Sequence, residues 1–412
     1  MAESIQIPEA ARKLGELFHD AGFELFVVGG AVRDRVLGLS SFDDDIDMTT
    51  DARPPDVLRL ISPLASAVWR QGERFGTIGA NVFDRSVEIT TYRSESYEGH
   101  SRKPVVGFGD DLETDLSRRD FTINAMALSA RTGELHDPFS GVDDLAAKIL
   151  RTPLSPEVSF NDDPLRMLRA ARFAARLGLR FDGAVVDAAK VLAPRMEIVS
   201  GERIFAEIER LLELPDPTAG LEFLWQTGVL SAAFDRAQLA PYSTVEHAIN
   251  RMATVVPVDT GVRWAALCQL TRVEVDDLGE HLRMSTDRRK DLKILTTNRI
   301  PPAFDPPTLR RMILWLGRAQ VNRVVAVEMI VGGMPATHLE SFLTAFNTRE
   351  EREPATDLVS PLSGSDILDL LNIEPGPLVG QIRLHLESLA IENGPLTRDQ
   401  AAVAARNFLD RQ

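Results

Sequence analysis

Residues 25–50 read LFVVGGAVRDRVLGLSSFDDDIDMTT, and the fold turns on this stretch. Phe26, Val27 and Val28 form the apolar run of a buried strand. Gly29-Gly30 then lets the backbone turn tightly and approach a bound group that a side chain would block. Ala31 to Leu37 follow as a short helix whose first amides would face an anion, with Arg33 placed to pair with a phosphate. A second strand carries Asp45 and Asp47, which a period of two puts on one face while Ile46 and Met48 take the buried one. Asp43 with Asp45 satisfies the same spacing, and the alternation of Ile46 and Met48 is what favours the Asp45–Asp47 pair. Two adjacent carboxylates repel each other unless the loop is solvated or a cation stands beside them. Hard oxygen donors next to a phosphate site point to Mg2+. Taken singly, Gly-Gly after a strand is often a plain turn and an Asp-rich loop a solvated cap, so the combination carries the reading.

The 412 residues are 44% hydrophobic and 26% charged, ordinary for a globular protein and long enough for two to three domains. A formal net charge of -15 excludes nucleic-acid binding by bulk charge, so any such contact must be a local patch. The single cysteine, Cys268, excludes an internal disulfide framework and a cysteine-rich zinc site and suits a reducing cytosol. No apolar leader opens the sequence and no stretch approaches the ~20 apolar residues of a membrane span, so the expected location is cytoplasmic.

Residues 9–21 read as a helix, and Pro54-Pro55 opens another to about Ala65. TIGANVFD and SVEITTYR alternate as strands joined at Asp84-Arg85. Glu88 on the second of these is a candidate third carboxylate or, equally, a solvent-facing strand glutamate. Residues 93–117 form a long polar connection carrying Arg102-Lys103, of the kind that is functional or disordered. In RRDFTINAMA, residues 118–127, Arg119 can pair with a triphosphate and Asp120 can hydrogen-bond a ribose hydroxyl or orient an arginine. Asn124 offers both donor and acceptor. Taken alone, the string also reads as a basic turn before an amphipathic segment. A hairpin turning at Thr132-Gly133 follows.

From about residue 140 the pattern is helical, with a domain boundary at 140–155. In DPLRMLRAARFAARLGLR Asp163 is the expected N-cap, with Pro164 at the first helical position. Arg166, Arg169, Arg172, Arg176 and Arg180 fall within one helical arc of ~120°. Met167, Ala170, Ala171, Ala174 and Ala175 lie opposite. A solvated face is the ordinary meaning of an arginine stripe, and the acidity of the whole chain argues against it here. In IVSGERIFAEIERLL, Ser200 takes the N-cap and Glu202 and Glu207 fit an ordinary helix with a structural role. Further helices continue to the end, broken at Pro301-Pro302 and Pro306-Pro307.

GGAVRD with DDIDMTT, RRDFTINAMA and FNDDPLRMLRAARFAA together resemble the motifs of the class II tRNA nucleotidyltransferases, the family of CCA-adding enzymes and bacterial poly(A) polymerases. The resemblance implies an α+β fold: a small mixed-sheet nucleotidyltransferase head like that of polymerase β (1–145), then an all-helical neck (146–215), body (216–300) and tRNA-binding tail (301–412). It implies catalytic Asp45 and Asp47 holding two Mg2+ ions, with Glu88 as a candidate third ligand. Gly29, Gly30, Arg33, Asp34, Arg119, Asp120 and Asn124 would bind the nucleotide. Asp163 and Arg166 would present a base-pairing edge to CTP or ATP without a nucleic-acid template, and Arg169 and Arg172 would hold phosphates or the selector itself. The connection at 93–117 would be the loop that helps the switch from C to A addition.

The expected activity is addition of C, C and A to the 3′ end of tRNA from CTP and ATP, with release of pyrophosphate. The alternatives are poly(A) synthesis on the same head, partial addition of only CC or only A, and a non-catalytic RNA-binding protein with a relic head. The intact Asp45, Asp47, Arg119 and Arg166 oppose the relic. YSTVEHAINRM resembles the start of a metal phosphohydrolase domain, but the matching RWAALCQL offers Cys268-Gln269 where that site needs His-Asp, so no metal is expected there.

Overall fold

In the computed structural model the apolar run Leu25–Val28 is a strand, β1, with all four side chains buried. The structure describes residues 7–39, 45–96, 105–109, 111–235 and 237–411. Around β1 are α1 (Glu9–Asp20), α2 (Gly30–Val36), β2 (Asp45–Thr50), α3 (Pro54–Ile61), β3 (Ala65–Trp69), β4 (Thr77–Val82), β5 (Arg85–Thr91), β6 (Arg93–Ser96), β7 (Val105–Phe108), α4 (Leu112–Ser117), β8 (Ala127–Ser129) and β9 (Leu135–His136). Seven strands form one sheet in the order β3-β4-β5-β2-β1-β8-β9. The β2–β5 pair is parallel and the others antiparallel, so the sheet is mixed as expected.

Two expectations need correction in this region. The helix opened by Pro54 stops at Ile61, where Pro63 lacks the N–H that would extend it, and Ala65–Trp69 is a strand rather than a helix end. It lies at the edge of the sheet with side chains half or fully exposed, so it has no alternating apolar pattern to announce it. The ends of the polar connection 93–117 are regular, as the β6–β7 hairpin and α4. Its middle, including Arg102 and Lys103, lies outside the described residues.

Beyond β9 come α5 (Gly141–Ala147), β10 (Ile149–Leu150), α6 (Pro156–Asp162), α7 (Leu165–Leu177), β11 (Arg180–Phe181), α8 (Gly183–Leu192), α9 (Gly201–Leu212), α10 (Thr218–Gln226) and α11 (Val229–Ala233). The short parallel β10–β11 pair interrupts what was expected to be helix alone. Helix α7 ends at Leu177 because Gly178 turns left-handed at φ 63°, and Arg180 therefore leaves the arginine stripe for β11. Pro164, not Asp163, takes the N-cap position of α7. Asp163 closes α6, yet its Oδ1 still accepts the Leu165 N–H at 3.2 Å. The regular elements described beyond residue 238 are all helices, from Tyr242–Arg251 to Arg398–Leu409, and no described helix is long and apolar enough to cross a membrane. The chain divides into two compact units between Ala237 and Gln238.

Buried Met167, Ala170, Ala171 and Ala174 of α7 pack against α9 and α10. The approach of α10 is close enough that a Cβ at Gly220 would lie 2.6 Å from the Ala171 carbonyl oxygen and 2.7 Å from Leu211 Cδ1. In an exposed helix Gly→Ala stabilises by up to about 1 kcal/mol. Here overpacking reverses the sign, and Gly220→Ala is expected to destabilise by about 1–3 kcal/mol. Urea unfolding checks this, since a raised midpoint would show that the helices have room to part.

Candidate active site

Gly29 ends β1 at φ 77°, ψ -144°, a conformation that disfavours any side chain. A Cβ there would lie 3.8 Å from both Asp47 Oδ2 and Arg119 Nη1, so the bare turn runs between a carboxylate and a guanidinium. On β2, Ile46 and Met48 are buried while Asp47 is exposed. Parallel pairing sets Asp47 beside Glu88 of β5, and register partners project to the same face of a sheet. Asp45 stands two positions before Asp47 on the same strand, with its side chain outside the described set, and no group of three metal-ligating side chains stands together among the described residues. The donor chemistry fits Mg2+: Asp47 and Glu88 offer hard carboxylate oxygens on one exposed face of the sheet, near the half-buried Gly29-Gly30 turn.

A cleft of roughly 430 Å³ opens at this edge. Of the residues singled out by sequence, Gly29, Gly30, Arg33, Asp47, Arg119, Asp120, Asn124, Asp163, Arg166, Arg169 and Arg172 line it, and Arg118, Phe173 and Arg176 complete it. Asp34 lies behind the wall and Glu88 outside. Seven arginines meet three aspartates here, the local basic patch that the acidic chain required.

The patch is held in place by carboxylates set into its walls. Asp120 Oδ1 accepts Asn124 Nδ2 at 3.0 Å, and Oδ2 accepts Arg169 Nε and Nη2 at 2.8 and 2.5 Å. Of the two roles expected for Asp120, orienting an arginine is the one its geometry performs. Burial alone would push this carboxyl up, but Arg169, Asn124 and Arg166 together hold it below the usual range. Asn124 Oδ1 accepts Arg33 Nη1 at 2.8 Å, and Arg33 Nε reaches Asp34 Oδ1 at 2.8 Å. Arg33 is buried, so these donors face protein groups rather than the open cleft. Arg176 Nη2 lies 3.6 Å from Asp34 Oδ2, which brings α7 back to α2. In the middle stands Phe173, with Arg172 4.4 Å from its ring centroid and Arg33 and Arg169 each at 5.3 Å. Three guanidiniums thus stand within cation–π reach of one ring.

Two further acids were not singled out for the site. Glu207 of α9, read from the sequence as an ordinary helix residue, is buried and accepts Arg172 Nε at 2.6 Å. Asp115 is fully buried and accepts Arg118 Nη2 at 2.7 Å, Arg119 Nη2 at 3.2 Å and Thr49 Oγ1 at 3.2 Å. Burial would raise its pKa, and Arg119 and Arg118 outweigh that and lower it. Arg119 Nε is buried with no acceptor among the described residues, while its Nη1 is the atom that stands at the bare Gly29 turn. The two candidate base-reading residues are steadied from opposite sides. Asp163 Oδ2 accepts Arg203 Nη2 at 2.8 Å, while Arg166 donates to Ser159 Oγ at 2.8 Å and to the Arg118 carbonyl.

The missed residues had readable signals. Phe173 falls at ~340° on the helical wheel that starts at Arg166, inside the arginine arc. Asp115 precedes Arg118 and Arg119 by three and four positions, the spacing of helical ion pairs. Glu207 interrupts the apolar face formed by Ile204, Ile208 and Leu211.

Residues 25–151 match the family model described as the poly A polymerase head domain, and residues 178–238 one described as a probable RNA and SrmB-binding site of polymerase A. A CCA-adding enzyme of Streptococcus gordonii is 31% identical over 401 residues, 93% of either chain. Among solved structures, the Bacillus stearothermophilus CCA-adding enzyme in complex with CTP is 24% identical, with a TM-score of 0.72 over 98% of this chain and 99% of that one. The Thermotoga maritima CCA-adding enzyme complexed with tRNA is 20% identical, with a TM-score of 0.64 over 97% and 94%. Both share the fold.

The Asp120 pair gives a pH signature. A carboxyl whose folded pKa lies below its unfolded value of about 3.9 contributes stability that is present above that value and lost as pH falls through the lower folded one. Asp120→Asn should therefore flatten the acid limb of the stability curve below about pH 4. At neutral pH it should cost roughly 3 kcal/mol, the low end for breaking a buried pair, because the Arg169 side chain is 32% exposed. Urea titrations from pH 7 down to pH 2 test this, and an acid limb unchanged by the substitution would contradict it.

Proposed function

The chain belongs to the CCA-adding enzyme family, and from that premise we propose that it extends the 3′ end of tRNA by C, C and A, using CTP and ATP and releasing pyrophosphate. The observation that carries the reading is the single cleft in which Asp47, Arg119 and the pair Asp163 and Arg166 meet. In this reading residues 1–145 are the head, 146–215 the neck, 216–300 the body and 301–412 the tail that binds tRNA, and the enzyme works in the cytoplasm.

Asp45 and Asp47, with Glu88 alongside, would hold Mg2+, which supplies positive charge to lower the pKa of the tRNA 3′-hydroxyl and stabilise departing pyrophosphate. Arg119 donates to the triphosphate, and the bare backbone of Gly29 and Gly30 lets it approach. Asp120, Asn124, Arg33 and Asp34 position the wall behind it. Arg169 and Arg172, tied to Asp120 and Glu207, hold the selector's surroundings rigid. Arg166 offers donors and Asp163 acceptors. Cytosine and adenine both present an amino donor beside an acceptor ring nitrogen, whereas uracil and guanine present a carbonyl beside a ring N–H. Each Asp163 oxygen has two lone pairs, so its bonds to Leu165 N–H and Arg203 leave acceptor capacity for the base.

Incubation with tRNA ending at the discriminator base, at C and at CC tests the activity, with each nucleotide supplied singly. CTP should serve the first two and ATP the last, and synthesis should then stop. Untemplated runs of A on any RNA would favour poly(A) synthesis instead. Asp47→Asn should abolish incorporation while leaving folding and tRNA affinity near normal, and surviving activity would remove Asp47 from the metal site. Arg166→Ala should relax discrimination against UTP and GTP by about ten- to a hundredfold, the equivalent of one hydrogen bond to a charged group at roughly 1.5–3 kcal/mol. If that variant loses activity yet keeps full preference for CTP over UTP, Arg166 is a phosphate clamp instead.

A further inference from the structure

Asp47, Glu88, Gly79 and Trp69 are register partners across four neighbouring strands, β2, β5, β4 and β3. Partners of this kind share one face of the sheet, so they form a row that begins at a carboxylate and ends at an aromatic side chain on the sheet edge. Gly79 leaves a gap in the row, and the Trp69 indole fills it. A Cβ at position 79 would lie 1.8 Å from Trp69 Nε1 and 2.1 Å from Cε2. The ring is thus laid along the row towards Glu88, about one strand spacing of ~4.8 Å from it and about two from Asp47.

A second cavity, of roughly 330 Å³, opens over this end of the row, lined by Trp69, Phe75, Thr77, Glu88 and Arg93. None of these residues lines the arginine cleft. Trp69 is half-buried, and Phe75 is 42% exposed with the Arg74 guanidinium 4.5 Å from its ring centroid. Arg93 Nη2 donates to Thr77 Oγ1 at 2.6 Å within the cavity wall. Flat aromatic surface interleaved with guanidinium is the chemistry that holds single-stranded nucleic acid, through stacking on any base and attraction to its backbone. The carboxylate row needs two reactants, a triphosphate and a hydroxyl, and the arginine cleft supplies only the triphosphate's side.

We propose that this cavity holds the 3′-terminal base of the acceptor RNA, stacked on Trp69, so that its ribose hydroxyl reaches the Asp47–Glu88 end of the row. The proposal rests on the functional reading above and adds a positioning residue on the acceptor side. Trp69 acts through the base that it stacks, and Gly79 is the bare position that lets the indole lie flat.

The test uses the full chain, CTP and two acceptor-stem RNAs ending at the discriminator position, one intact and one abasic at that 3′-terminal nucleotide. Trp69→Leu keeps the space over Gly79 filled without a stacking face. It should lower kcat/KM for the intact RNA by about tenfold or more, the scale of one lost base–aromatic stack, with the KM for CTP unchanged. The abasic RNA should lower the wild-type value by a similar factor, and variant and abasic RNA together should lose little more than either alone. Trp69→Tyr should restore most of the rate. Multiplicative losses, an unchanged rate in Trp69→Leu, or a shift confined to the KM for CTP would overturn the assignment. The wild-type enzyme on intact RNA separates the two levels: if it incorporates nothing, the functional reading fails, and if it incorporates normally while the cycle is additive, only the stacking site fails.

Discussion

The buried carboxylate of Asp120, bonded by Asn124 on one side and Arg169 on the other, is the contact on which the rest of the cleft depends. Seven arginines around one opening repel one another. At 6 Å and an effective dielectric of 20, two such charges cost roughly 3 kcal/mol. Asp120, Asp115, Glu207 and Asp34 offset this from within the walls, each bonding a guanidinium side-on and leaving the open space to a ligand. Phe173 adds a ring against which three of the cations rest. The cations are therefore fixed before any triphosphate arrives, so little reorganisation is left for the moment of reaction.

The same contacts tie the sheet to the first long helix beyond it. Asp120 with Arg169, Asp34 with Arg176, and the Arg118 carbonyl with Arg166 each join the chain before residue 125 to α7. A change from mixed pattern to helical pattern near residue 145 is visible in the sequence, yet compactness continues to Ala237. The cleft is made of both parts, and neither alone would keep an arginine cluster together.

What could be read in the sequence followed from periodicity. Alternation of Ile46 and Met48 placed Asp47 on the open face of β2, and the 3.6-residue period grouped Arg166, Arg169, Arg172 and Arg176. Where the backbone departs from regularity the reading failed: Gly178 turned Arg180 out of the stripe, and β3, exposed on an edge, looked like the tail of a helix. Partners distant in sequence were the other limit. Nothing local in α9 says that Glu207 meets Arg172 across 35 residues, and nothing near Asp115 says that it also holds Thr49 of the carboxylate strand. The row from Asp47 to Trp69 depends on strand register, which no single segment reveals.

In the proposed function, protein side chains fixed by these buried acids read the incoming base without a nucleic-acid template. Equilibrium binding of CTP, ATP, UTP and GTP to the RNA-free chain, in Mg2+ and under one set of conditions, tests it most directly. CTP and ATP should bind at least about tenfold more tightly than UTP and GTP, the worth of one hydrogen bond to a charged group. Equal affinity for all four would contradict it, because selection would then have to come from the RNA.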